Sequence, residues 1–402
     1  MWCALCWLIF SPPVEDVVRN GKQPSGQAQT LVFSEELRFG GGDGEDDYLW
    51  TYGSGVSPDF RGFMYVADPR ANKVFEFNPD GELTRTIARE GNGPGEFQRL
   101  SFFTVLKDGS AVGFERLEGL EARFHHFDKQ MKFKKMVAPR EHGLILEIVQ
   151  LAPRGDRIAA FYVTRDMDAR VMRHEVSILD NQLRVQKRLN TGPRPLFDVS
   201  KFDQPGYWVD RIGGNVKLFL SGMGVVAFCD DGSCYTALNS RYEITHWNAD
   251  LKTKKRTITR EYKPIAQSPE NLEAMVELFT EDMLANPRIA KVVTPPVLAR
   301  AIEVADPSPA KNPIYAMMVM EDGTLLVVHE VDLVSRKNRA DIFSAQGVYR
   351  GWVSMNNHAL VKPIGGGYLP AMVFRNGKAY TMEVNDDGDM QVVRYGYAWA
   401  KP

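Results

Sequence analysis

At 402 residues the chain is long enough for two or three ordinary domains, yet repeat folds of this length form one unit, so length alone forces no division. Hydrophobic residues at 44%, charged residues at 25%, and 34 glycines with 23 prolines describe a turn-rich globular protein and exclude a disordered one. A formal net charge of −2 gives no basic field for nucleic acid, and beyond the first residues no apolar run approaches the roughly 20 residues of a spanning helix.

The chain opens on MWCALCWLIFS, which has the apolarity of a secretory signal core. No Lys or Arg precedes it and no small-x-small cleavage site follows. Two readings stand: a signal peptide, or an apolar tail that associates with a membrane. Cys3 and Cys6 form a C-x-x-C inside this run, without the βαβ context of a redox motif. Residues 12–29 are Pro, Gly, Ser, Gln and charge, so 1–29 reads as a signal-like segment and linker, and 30–402 as the folded part. The expected location is periplasmic or extracellular.

A strand is expected over 30–39, TLVFSEELRF, followed by a Gly/Asp/Glu loop. Residues 56–100 then hold three short β-branched or aromatic runs, FMYVA, KVFEF and TRTIA, separated by the turn-forming DPRAN and NPDG. YVADPRANKVFEFNPDGELTRTI followed by GNGPGEF resembles the NHL-type repeat of six-bladed β-propellers, where an aspartate after a strand, an asparagine, a hairpin glycine and a Gly-rich exit recur in that order.

One blade cannot bury both its faces, so the motif must recur. A tight turn recurs six times, around Gly62, Gly109, Gly155, Gly232, Gly323 and Gly377. An apolar residue followed by a short polar turn recurs five times, after Phe77, Phe127, Leu179, Trp247 and Phe343, always in the same phase. After the sixth turn the chain has room for two strands and stops. The spare strand at 30–39 can complete the last blade and close the ring. The fold expected is all-β, a six-bladed β-propeller closed by an N-terminal strand.

Two intervals, Gly155 to Gly232 and Gly232 to Gly323, are oversized, and their excess lies at 191–223 and 262–312. Both fall between one blade's outer strand and the next blade's inner strand, on the face that also carries the loops joining second and third strands. Long loops on one face of a rigid scaffold are where binding is usually built. The larger insertion is expected to be a helical cap: Ser268-Pro269-Glu270 starts a helix, Leu272, Met275, Val276, Phe279 and Met283 form one stripe, and Thr294-Pro295-Pro296 starts another. The stripe packs on the propeller as a lid or docks a partner.

Candidate site residues gather on that face. Asp68 and Asn72 either cap their own turn or contact a ligand. Arg70, Arg116, Arg165, Arg170, Arg241 and Arg336, from five blades, form a rim suited to a carboxylate, a phosphate or a sugar acid unless the interleaved acids pair with them. Tyr207 and Trp208 stack on a sugar ring or anchor their loop. His125, His126 and His246 are weighed as metal ligands against packing between blades. Cys229 and Cys234 flank a four-residue turn, as a disulfide candidate or two reduced thiols. GNGPGEF lacks the lysine of a phosphate loop.

These residues point to a monomeric binding or scaffold protein, engaging a protein or carbohydrate through its loop and helix face, with no cofactor. The alternative is an enzyme resembling the lactonases or lyases built on six-bladed propellers, with a divalent ion such as Ca or Zn held by Glu, Asp and Asn.

Overall fold

The computed structural model describes residues 16–41, 50, 55–116, 122–138, 145–166, 171–195, 199–221, 223–284, 286–305, 310–329, 331–332, 334–335, 337–356, 363–364, 367–368, 372–385, 387 and 389–401. Two strands precede the first repeat, β1 (Val17–Asn20) and β2 (Thr30–Phe39). Blade 1 is β3 (Gly55–Pro58), β4 (Met64–Asp68), β5 (Lys73–Phe77) and β6 (Leu83–Ala88). Blade 2 is β7 (Leu100–Val105), β8 (Ala111–Arg116), β9 (Ala122–Phe127) and β10 (Phe133–Val137). Blade 3 is β11 (Ile145–Leu151), β12 (Arg157–Asp166), β13 (Val171–Asp180) and β14 (Val185–Pro195).

Helix α1 (Pro205–Ser221) leads into blade 4, which is β15 (Gly224–Phe228), β16 (Cys234–Leu238), β17 (Glu243–Trp247) and β18 (Lys254–Arg260). Helices α2 (Pro269–Leu284), α3 (Pro287–Ala290) and α4 (Pro295–Ala305) follow. Blade 5 is β19 (Ala316–Val319), β20 (Leu325–Val328), β21 (Lys337–Phe343) and β22 (Tyr349–Asn356). A small hairpin, β23 (Pro363–Ile364) and β24 (Gly367–Tyr368), precedes blade 6, whose strands are β25 (Met372–Arg375), β26 (Lys378–Val384) and β27 (Met390–Ala400). Each blade is an antiparallel meander, and β2 pairs with β27 as the fourth strand of blade 6. The chain is a six-bladed β-propeller.

Its core lies between blades. Tyr65 and Val74 of blade 1 pack on Phe97, Phe103 and Phe127 of blade 2. Phe114 and Phe124 meet Ile158 and Leu179 between blades 2 and 3, and Met64 and Val66 meet Tyr380 and Met382 between blades 1 and 6. Because neighbouring blades cover both faces of a sheet, strands near the axis are apolar throughout instead of alternating. Every residue of β4, β15 and β20 is buried, whereas the first four of β6, on the outside, are exposed.

All six turn glycines singled out in the sequence take left-handed φ, between +68° and +85°. The five hairpin turns each hold a second left-handed residue, and in three of them it is Met131, Leu183 or Leu251. Nothing in the local sequence announces those three, since β-turn glycine is the expected choice. Their side chains are buried between blades, and that burial offsets the strain.

Residues 12–29 were expected to be linker, but the described part of that stretch is a strap. β1 pairs in parallel with β18 as a fifth strand of blade 4. Asn20 is buried: its Nδ2 donates to the carbonyls of Thr259 and Gly347, and its Oδ1 accepts from the Tyr349 amide, so one side chain ties blade 4 to blade 5. The Ser25 and Gln29 amides then donate to carbonyls of Tyr349 and Arg350 before β2 enters blade 6. An added Cβ at Gly351, φ +149°, would stand 2.0 Å from the Gln29 carbonyl oxygen, so only glycine lets the strap lie so close. A four-residue strand rich in Val and Asn, between Pro-rich flanks, has no pattern of its own; pairing with β18 makes it one.

The helical cap forms as expected. Ser268 Oγ accepts from the Asn271 amide at the start of α2, and Leu272, Met275 and Val276 are buried. The side chain of Phe279 lies outside the described residues. The smaller insertion, expected only as a loop, also carries a helix. Gly213-Gly214 reads as a breaker in sequence, but a Cβ at Gly213 would meet the Ala301 carbonyl oxygen at 2.6 Å, so the glycine is what lets α1 and α4 cross closely.

Candidate functional site: the central chamber

Four of the residues expected on the insertion face, Asp68, Asn72, Tyr207 and Trp208, hold the fold. Asp68 is buried, and its Oδ1 accepts from the amides of Arg70 and Ala71. Asn72, at φ +53°, accepts from the Leu100 amide and so fastens the blade 1 loop to blade 2. Tyr207 and Trp208 do not present their rings for a sugar. Both are buried on α1, with Trp208 Nε1 donating to the Phe202 carbonyl 2.8 Å away, so they anchor the cap. Arg70 and Arg241 are exposed; the side chains of Arg116, Arg165, Arg170 and Arg336 lie outside the described residues.

His125 and His246 are packing residues, and His126 is half-buried. His125 Nε2 lies 2.9 Å from Glu115 Oε1, beside Phe97. His246 stacks on Tyr235 at 4.1 Å between centroids, and its Nε2 meets Ser233 Oγ. Burial, with Lys255 and Arg256 nearby, pushes the His246 imidazole down to about 4. The unfolded chain takes this proton near pH 6.5 and the folded one only near 4, so stability present above pH 6.5 is lost as pH falls through that window. We expect roughly 3 kcal/mol less unfolding free energy at pH 4 than at pH 7 from this group. Urea titrations of the native chain and His246→Phe will show it: the variant flattens the slope between pH 6.5 and 4, and an unchanged slope refutes the assignment.

The disulfide candidate is not a bridge. Phe228, not Cys229, stands opposite Cys234 across the β15–β16 hairpin. The two cysteines therefore project from opposite faces of the blade: Cys234 joins the core toward the cap and Cys229 packs against the cluster shared with blade 5. Both thiols are free, and burial pushes Cys229 up to about 11 and Cys234 up to about 12, so they are protonated at neutral pH.

The concavity the structure does build lies on the axis, and sequence reading missed it. Inner strands of all six blades enclose a chamber of about 220 Å³. Its lining comes mainly from the later residues of those strands and the first turn residues after them, including Leu106, Pro153, Asp230, Glu321 and Arg375, together with Gly55 and Met372 at the starts of the short β3 and β25. Those turns are at the opposite end of the ring from the two insertions. At the insertion end, α1, α2 and α4 share one apolar cluster with residues at or near the starts of inner strands, such as Met223, Val226 and Ala316, and β24 lies against β15. The cap thus fills one end of the ring, and the chamber belongs to the other.

Phe102, Phe103, Met318, Met320, Met372 and Phe374 give the chamber an apolar wall. Over it, Lys107 of blade 2 reaches Asp230 of blade 4 at 3.0 Å, bridging across blade 3. Two polar side chains in the lining lack partners among the described residues. Gln150 of blade 3 has an unpaired buried Oε1, and Arg375 of blade 6, 7% exposed, has an unpaired Nε. Blades 3 and 6 stand opposite one another in a ring of six. No cluster of three His, Cys, Asp or Glu able to hold a metal occurs among the described residues.

A family model described as DUF5128, 6-bladed beta-propeller, matches residues 58–113. The family match and the sheet topology agree on the fold. No curated protein matches the chain. Among solved structures, the chain is similar to a candidate exported protein from Bacteroides fragilis NCTC 9343, at 9% identity and TM-score 0.47, covering 96% of this chain and 100% of that one. It is similar to a member of the DUF4221 family from Bacteroides vulgatus, at 9% identity and TM-score 0.47, covering 94% and 100%. It is also similar to virginiamycin B lyase from Staphylococcus aureus, at 9% identity and TM-score 0.38, covering 92% and 99%.

Proposed function

We propose that the protein is an exported, non-enzymatic binding protein that takes a small ligand into the chamber at the turn end of the ring. The observation that carries this reading is the chamber itself: an apolar, six-sided recess holding a few unpaired polar groups, which is how small-molecule sites are generally built. Export is supported by the apolar run at residues 2–10. Among the described residues no helix is long and apolar enough to cross a membrane.

Gly55 offers a clean test, because it lines the chamber and a Cβ added there meets no atom of the described residues within 4 Å. Gly55→Phe is expected to fill the recess with little effect on melting. Small molecules retained by protein isolated from its own cells under native conditions are then identified by mass spectrometry. A compound held stoichiometrically by the native chain and lost from Gly55→Phe supports the reading; retention equal in both, or none in either, overturns it. A stoichiometric divalent ion whose chelation lowers the melting temperature would put the lactonase- or lyase-like reading first.

A second reading, engagement of a protein or carbohydrate on the insertion face, is favoured by one feature. Arg241 sits with Lys187, Arg188, Glu243 and Trp247 in a cleft of about 250 Å³ between blades 3 and 4. Lys187 covers the Trp247 ring at 3.2 Å, so the cleft presents positive charge more than an aromatic face.

A further inference from the structure

Buried charge is ordinarily paired, since desolvating an ion without a partner is costly. Arg260 obeys the rule: it is 9% exposed and forms an ion pair with Asp341. Arg375 does not. It is 7% exposed, yet its guanidinium forms no hydrogen bond or ion pair among the described residues, and the face of Phe60 lies 4.6 Å from the guanidinium carbon. Neither carboxylate in the chamber lining forms an ion pair with it. Glu321 accepts from the Gly377 amide, and Asp230 pairs with Lys107. Arg375 is thus a guanidinium held at the edge of the chamber with no ion-pair partner among the described residues.

We propose that the chamber's ligand is an organic anion, a carboxylate or phosphate on an apolar body, with Arg375 taking the anionic head and the Phe and Met wall taking the body. The planar fork of arginine matches either head group in bidentate fashion. Phe60 braces the guanidinium without neutralising it, because the interaction is with the ring face and not with a charge. The proposal rests on the chamber being the binding site, and it adds the chemistry that site selects.

The test uses the full chain and three probes of one shape: hydrocinnamate, its neutral amide, and phenethyl phosphate, each titrated by calorimetry. Hydrocinnamate or the phosphate is expected to bind roughly ten- to hundred-fold more tightly than the amide, and the stronger of the two names the head group. Arg375→Met should erase that preference while leaving the amide's affinity unchanged, and Arg375→Lys should restore part of it. Equal affinity for all three probes, abolished by Gly55→Phe, overturns the anion assignment and leaves the chamber standing. Binding of no probe, or binding indifferent to Gly55→Phe, removes both. Should Arg375→Met fail to fold, the acid-to-amide ratio in the native chain still decides.

Discussion

Replacing Asp341 by alanine lowers the unfolding free energy by about 4 kcal/mol, a large part of the roughly 5–15 kcal/mol available to a domain. The carboxylate is fully buried on β21, and three groups converge on it. The Tyr242 hydroxyl donates to Oδ2 at 2.6 Å, His329 Nε2 lies 3.1 Å from Oδ1, and Arg260 forms an ion pair with it. Burial and the neighbouring carboxylate push the Tyr242 phenol well above its ordinary value, so it stays a donor at any working pH. Tyr242 and Arg260 belong to blade 4 and its loop, His329 and Asp341 to blade 5, so the cluster staples two blades through the core. Without Asp341 the Arg260 charge stays buried, with only the Tyr349 hydroxyl at 3.0 Å and the ring beneath it. The double change Asp341→Leu with Arg260→Met is expected to recover most of the loss, because neither charge then remains to be desolvated. Chemical denaturation of the three variants checks this; a loss below about 1 kcal/mol for Asp341→Ala would show the cluster to be incidental.

Removing residues 1–39 is expected to abolish cooperative unfolding and to drive association through an exposed sheet edge. β2 is the fourth strand of blade 6, in register with β27 from Thr30 opposite Ala400 to Phe39 opposite Val392. Its loss strips a ten-residue ladder worth on the order of 5 kcal/mol or more and leaves the eleven-residue β27 as an open edge. Removing only residues 1–29 takes away β1 and Asn20 but leaves β2, so that variant keeps the oligomeric state of the full chain with a lower melting temperature. Size exclusion and calorimetry on the two truncations separate ring closure from strapping. A cooperative, monomeric 40–402 fragment would show that closure is not needed.

Much of this architecture was legible in the sequence because it is local. A turn needing left-handed backbone selects glycine, and six such glycines at a kept phase count the blades. An orphan strand at one end and a three-stranded blade at the other name their own partner. Ser268 and the apolar stripe after it define α2 without reference to anything else. What the chain alone did not disclose depends on partners distant in sequence. β1 is a strand only because β18 lies beside it, and the paired glycines of α1 look like a breaker until α4 is laid across them. Cys229 and Cys234 look like neighbours until register places them on opposite faces. The candidate site shifted ends for the same reason. Sequence locates long insertions and their charges, but only the assembled ring shows that the insertions cover their own apolar stripe, and that Arg375, an unremarkable residue before an Asn-Gly turn, is buried beside the axis without an ion-pair partner among the described residues.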